Sequence, residues 1–394
     1  MRILLVLLML AAAPAGAQGI DFLDANGFED GCDVDTDSDR LPNCVENGTN
    51  RYISPALTGT SPTVADTDND GLLDGDEVLG SLAGLNLPAM GARPLRKTVL
   101  IEYDWFDDAT GCAAHTHRPT AAMMSQTAAA FGAMPVLNPD GSSGIDFIQD
   151  FGQGGLFTGG NLIADPDGDI AGGVNGTEFN NYKAAHFGSN RFRYFHYAIL
   201  SHTYNAGNSS GQAELPGDDL IVSLYCSGST ANVRNTIIHE IGHNFGLRHG
   251  GNVNCNYKPN YNSVMNYRYQ FPGIDTDCTV PGNGVAGYSI GTRASLTESA
   301  LNEAAGVCGI AAGVPVDWNN SGTIENPVSA DINASDTGQA TACGGTLTTL
   351  ADHDDHANLN LAHIRTTGDL MIETIDCDNP APAAAPEPVA ARQP

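Results

Sequence analysis

Residues 239–251 read HEIGHNFGLRHGG, which sets His239 and His243 four apart, Glu240 beside the first, and His249 beyond Gly246. On an α-helix positions i and i+4 share a face, so the two imidazoles point the same way. Gly246 then breaks the helix, and the chain turns to bring His249 round. Three neutral imidazole nitrogens with one coordination position left for water describe a catalytic Zn²⁺ site, since a structural site takes a fourth protein ligand. Glu240 lies about 100° round the helix from His239. It is therefore placed to take a proton from that water without binding the ion.

These side chains need a helix held against a sheet. Ser229 or Thr230 caps the helix start. Val233, Ile237 and Ile241, four apart, form a buried stripe roughly opposite the histidines. Ahead of it, 93–105 reads as a buried first strand, 119–134 as an alanine-rich helix with Pro at its start, and 144–151 and 194–205 as further strands. Residues 217–225 read as the strand that leads into the zinc helix. Beyond it, 250–263 is a turn-rich loop, 294–307 has helical spacing, and 352–363 is a polar turn opening a C-terminal helix.

The motif HEIGHNFGLRH, with SVMNY following, resembles the metzincin zinc endopeptidases. Met265, sixteen residues beyond His249, matches the Met-turn, which in that family lays a methionine under the three histidines. Tyr267 matches the tyrosine that some metzincins place near zinc as an extra ligand or an oxyanion stabiliser. The resemblance is most specific over 229–270 and looser over 95–370. It implies an α+β fold: a twisted mixed sheet whose antiparallel edge strand, here 217–225, packs on the active-site helix, with a loop-rich C-terminal subdomain. It implies protein or peptide substrates, bound extended and antiparallel to that edge strand. The expected zinc ligands are His239, His243 and His249, and the expected general base is Glu240.

A second set of residue types suits a different ion. In 35–46, Asp35, Asp37, Asp39, Asn43 and Glu46 occupy positions 1, 3, 5, 9 and 12 of a calcium loop, with the Leu41 carbonyl at 7. Asp66, Asp68, Asp70, Asp74 and Glu77 repeat this in 66–77, with the Leu72 carbonyl at 7 and Gly71 at the sharp-turn position 6. The first loop has Arg40 at that position. Both loops resemble those of thrombospondin type 3 or dockerin segments, where Ca²⁺ organises a coreless stretch; the alternative is a solvated acidic linker. A partial third loop has Asp317, Asn319, Ser321 and Glu325 at positions 1, 3, 5 and 9, with the Thr323 carbonyl at 7. Asp165, Asp167 and Asp169 offer a shorter pattern without a terminal carboxylate.

Residues 1–17 have the short basic start, apolar run and small-residue cleavage site of a secretory signal peptide. The expectation is an exported protein with an acidic calcium-loop segment at 18–92. A peptidase domain follows at 93–379, with an upper subdomain 93–250 and a lower one 251–379, and then a disordered Pro/Ala tail at 380–394. The apolar run is too short to span a membrane. A formal charge of −29 excludes generic attraction to nucleic acid or anionic lipid. Nine cysteines in an oxidising compartment should mostly pair, with Cys32–Cys44, Cys255–Cys278 and Cys308–Cys343 favoured by proximity. His115 and His117 read as solvated loop residues, and His186, His196 and His202 as structural. His353, Asp354, His356 and His363 read as part of the polar turn. Oligomeric state is left open. The rival to a peptidase is a calcium-organised surface or adhesion protein that retains a zinc site without hydrolysis.

Overall fold

The computed structural model describes residues 32–108, 111, 113–226, 228–365 and 373–376. The expected signal segment, the leader up to residue 31, Cys112, Cys377 and the Pro/Ala tail lie outside them.

The N-terminal part carries two short helices, α1 (Asp74–Leu79) and α2 (Leu87–Met90). The sheet then opens with β1 (Thr98–Asp108), which turns back into β2 (His115–Thr116). Helix α3 (Ala121–Gly132), β3 (Asp146–Asp150), β4 (Leu162–Ile163) and β5 (Asp169–Ile170) follow. Next come α4 (Thr177–His186), β6 (Phe195–Ser201), β7 (Thr203–Tyr204), β8 (Gly211–Leu215), β9 (Asp219–Ser223) and α5 (Thr230–Asn244). The C-terminal part holds α6 (Tyr267–Gln270), β10 (Leu296–Thr297), β11 (Thr349–Leu350) and β12 (Glu373–Asp376).

The main sheet runs β12-β8-β9-β6-β1-β2, with β3 and β4 also pairing with β1. Strands β1, β3, β6 and β9 are parallel, whereas β8 is antiparallel to β9 and to β12. Apolar side chains alternate across β1. Val99, Ile101 and Tyr103 meet Met124 and Phe131 of α3 and Ile237 and Ile241 of α5 on one face. Phe106 goes to the other face, with Tyr197, Ile199, Ile221 and Phe179 of α4. Period 2 in the strand meeting period 3.6 in α5 fixes which side of the helix is left for chemistry.

The acidic segment is built onto this sheet. Leu72, Leu87 and Met90 pack on Leu100 and Phe195. Asp70 Oδ2 accepts the Thr98 N–H at 2.5 Å, and the Tyr194 hydroxyl donates to Asp76 Oδ2 at 2.9 Å. The expected boundary at residue 92 thus falls within a continuous core.

Three expectations are corrected. Residues 217–225 hold an interior strand, not an edge. β9 lies between β6 and β8 and is buried along its length, as a parallel strand covered on both faces must be. The antiparallel neighbour of β9 is β8, whose outer side is hydrogen-bonded to β12 over Gln212–Leu215, so a peptide cannot add there while that pairing stands. The helix expected at 294–307 is instead β10 and two 3₁₀ turns. Its acids are buried acceptors: Glu298 takes the N–H groups of Ile332 and Thr348, and Glu303 those of Trp318 and Glu325. Likewise the C-terminal helix after 352 is two 3₁₀ segments.

Among the cysteines, Cys32–Cys44 forms, but Cys255 pairs with Cys343 and Cys278 with Cys308. Cys226 is also disulfide-bonded. Doubling a loop's length adds only about 0.6 kcal/mol of closure entropy. The small C-terminal core of Cys255, Leu301, Val328, Ile332 and Leu350 therefore outweighs sequence proximity.

Candidate metal centre

Helix α5 starts where the Ser229 hydroxyl accepts the Asn232 N–H at 3.1 Å. Its last turn is fixed by Asn244, which donates to the carbonyls of Glu214 and Asp219 on β8 and β9. Gly246 then takes φ +94°, a left-handed conformation that glycine adopts without strain. The chain doubles back, with the Leu247 N–H donating to the Gly242 carbonyl.

His239, His243 and His249 are brought together and buried, with ring centroids 4.8–5.3 Å apart. His239 Nδ1 lies 2.7 Å from the Val264 carbonyl, and His243 Nδ1 2.7 Å from that of Leu247. A carbonyl only accepts, so each Nδ1 carries the proton. Burial holds His239 down to about 4 and His243 and His249 well below their ordinary value, so the rings are neutral. The Nε2 atoms of His239 and His243 then present lone pairs to each other at 3.2 Å. Two acceptors at that distance repel unless a cation lies between them. Tetrahedral Zn²⁺ with Zn–N bonds of about 2.0–2.1 Å sets its ligand nitrogens about 3.3 Å apart. The donor set fits zinc.

Val264 belongs to a tight turn, closed by the Asn266 N–H donating to the Ser263 carbonyl, that buries Met265 against α5. A Cβ on Gly242 would lie 2.4 Å from Met265 Sδ and 2.9 Å from the Tyr288 hydroxyl, so this turn packs directly on the helix backbone. The Tyr267 ring stands 4.4 Å from that of His249 and 5.8 Å from that of His239. Glu240 is fully buried, and a Cβ on Gly211 would lie 2.2 Å from its Oε1. Gly211, Gly242, Asn244 and Tyr288 were not singled out from the sequence. Only Gly242 carried a local signal, a glycine inside a helical motif.

The acidic loops share one backbone form. Positions 4 and 6 are left-handed in all three: Ser38 and Arg40, Asn69 and Gly71, Asn320 and Gly322. Arg40 keeps the turn geometry despite its side chain, and its guanidinium bonds Asp76 of the second loop. The first aspartate of each loop accepts the same backbone N–H groups: Arg40 on Asp35, Gly71 on Asp66, Gly322 on Asp317. Among the described residues, both oxygens of Asp37, Asp68 and Glu77, and Oε2 of Glu46, are buried without a hydrogen-bond partner. Asp39, Glu46 and Asp74 converge from the two loops. Burial pushes Glu46 and Asp68 up to about 8 and Asp74 to about 7. The third loop is exposed, and its Glu325 accepts from Asn319 and Ser321. Asp165 and Asp169 are taken by protein donors, among them Tyr182 and Thr203.

Two histidine expectations change. His115 and His117 are not solvated loop residues. They stand on and just past β2 beside Asp108, with His202 from the residue after β6. His196 is structural, with Nδ1 3.0 Å from Asn244 Oδ1. His353 packs on Gly251, and Asp355 next to it accepts from Tyr261 and Ser289.

Residues 173–250 match the Metallo-peptidase family M12B Reprolysin-like, a stretch that takes in α4, α5 and His249. No curated protein matches the chain. A solved structure, the archaemetzincin of Methanopyrus kandleri, is 14% identical over 43% of this chain and 81% of its own, with a TM-score of 0.21. The family match and the three converging histidines together support a zinc-dependent metallopeptidase.

Proposed function

We propose that this protein is an exported zinc endopeptidase whose fold is held by calcium. The observation that carries this is the pair of Nε2 lone pairs 3.2 Å apart, with a buried carboxylate one residue from His239. When bound, Zn²⁺ supplies a Lewis acid for the scissile carbonyl and brings the pKa of water from 15.7 towards about 7. Glu240 accepts the proton of the attacking water and passes it to the leaving amine. Gly211 leaves room for that carboxylate, since a Cβ there would lie 2.2 Å from Oε1. Tyr267, beside His249, donates its hydroxyl to the oxyanion as charge develops. The carbonyls of Val264 and Leu247 fix the ring orientations that the chemistry needs.

Calcium is supported by the unpaired buried carboxylate oxygens of Asp37, Glu46, Asp68 and Glu77. Ionised and unpaired, such groups would be expensive to bury, and an oxygen-ligated cation resolves this. Export is supported by the apolar N-terminal run and by the disulfides.

The test is Glu240→Gln. It should keep one zinc at the three histidines yet slow cleavage of an unfolded protein substrate by a factor of about 10² or more. Turnover that persists in this variant defeats the role given to Glu240. A wild type that cleaves no such substrate with zinc bound favours the surface-protein reading.

A further inference from the structure

Asp108, His115, His117 and His202 each offer one ligand atom, and these atoms lie within 4.8 Å of one another. The fold dictates this meeting. His115 on β2 and His117 just past its end, where its N–H still donates to the Phe106 carbonyl, fall on one face, and Asp108 is the cross-strand partner of His115, so its side chain shares that face. His202 comes from the residue after β6, the parallel neighbour of β1. His117 Nε2 lies 2.8 Å from Asp108 Oδ2, His115 Nε2 3.8 Å from the same oxygen, and His202 Nδ1 3.3 Å from Asp108 Oδ1.

We propose that these four residues form a second transition-metal site, of the closed structural kind, that binds Zn²⁺ or a similar divalent ion. A hydrogen bond from His117 accounts for one carboxylate oxygen. It does not account for His202, whose side chain is 1% exposed while, among the described residues, neither ring nitrogen has a hydrogen-bond partner and Nδ1 only approaches the Asp108 carboxylate at 3.3 Å. A cation ligated by His202 removes that deficit. His115 is turned the right way, because its Nδ1 lies 3.0 Å from the Ala113 carbonyl, which leaves Nε2 facing the carboxylate. Three nitrogens and one oxygen suit zinc and its neighbours, whereas calcium takes oxygen only. Four protein ligands leave no position for substrate, so this site holds structure: it ties the β1–β2 return to the end of β6. The side chain of His115 is 25% exposed, and the cleft of about 140 Å³ that it lines gives the ion a way in.

The test is zinc stoichiometry by elemental analysis of the full chain, kept in calcium and dialysed against buffered zinc. His239→Ala/His243→Ala, which removes the peptidase centre, should still hold one equivalent per chain; none held overturns the proposal. Adding Asp108→Asn to that variant, and separately His117→Ala/His202→Ala, should remove this last equivalent. Retention in either, with circular dichroism unchanged, overturns it. Replacing zinc by Co²⁺ in the His239→Ala/His243→Ala variant should give visible four-coordinate d–d bands, and an octahedral spectrum counts against the assignment. The peptidase reading fails on a different signal, a wild-type metal content that His239→Ala/His243→Ala leaves unaltered.

Discussion

His196 shows what burial does to one ionisable residue away from the metal ligands. It is 2% exposed, bonded to Asn244, and held by desolvation at about 4, against 6.5 when free. Between those values the unfolded chain takes up a proton that the folded chain refuses. The stability this contributes is complete above pH 6.5 and is lost as pH falls towards 4, at most about 3 kcal/mol. Urea unfolding at pH 7.5 and pH 5 should therefore show a smaller acid loss in His196→Gln than in wild type. An equal loss in both would remove His196 from the account. The same physics keeps the rings of His239, His243 and His249 neutral. That much was legible in the sequence, because the spacing of His239, His243 and His249 is local. The partners of those rings were not, since Val264 reaches His239 only through the tertiary turn.

At the scale of elements, the junction between α5 and the Met265 turn decides how well the site is held. Gly242 leaves no room for a methyl, with Met265 Sδ and the Tyr288 hydroxyl both inside contact distance. Gly242→Ala should destabilise by about 1–3 kcal/mol, as overpacking does, and should weaken zinc retention as the turn shifts. Gly132→Ala, where nothing lies within 4 Å, is the control and should not lower stability. Thermal unfolding and zinc content of the two variants check this. The sequence located α5 and α3 from their start signals and the strands that became β1, β3 and β6 from their apolar runs. It missed α4, which has no side-chain cap and only one buried residue, Phe179. It also took 294–307 for a helix, because apolar spacing does not reveal that Glu298 and Glu303 turn inward.

Across the whole molecule, the acidic loops and the sheet behave as one unit. Leu72, Leu87 and Met90 share a core with Leu100 and Phe195, and Asp70 bonds the first residue of β1. Calcium removal should thus loosen more than the loops. A ligand at 100 times its Kd contributes about 2.7 kcal/mol per site. Removing it from two sites should lower the unfolding temperature by on the order of 10 °C. Scanning calorimetry with a calcium-selective chelator, under buffered zinc, measures this. Asp68→Asn/Glu77→Gln should reproduce most of the effect, and an unchanged transition would separate calcium from stability.

The sequence by itself determined the convergence of the three histidines, the carboxylate beside them and the shape of the acidic loops, because each lies within a dozen or so residues of continuous chain whose spacing a helix or tight turn converts directly into geometry. Only the tertiary structure decided which cysteines meet, which strand is antiparallel, and that His115, His117 and His202 gather round Asp108. Those meetings depend on strand order and register. Long loops close almost as cheaply as short ones, so separation along the chain carries little information about them.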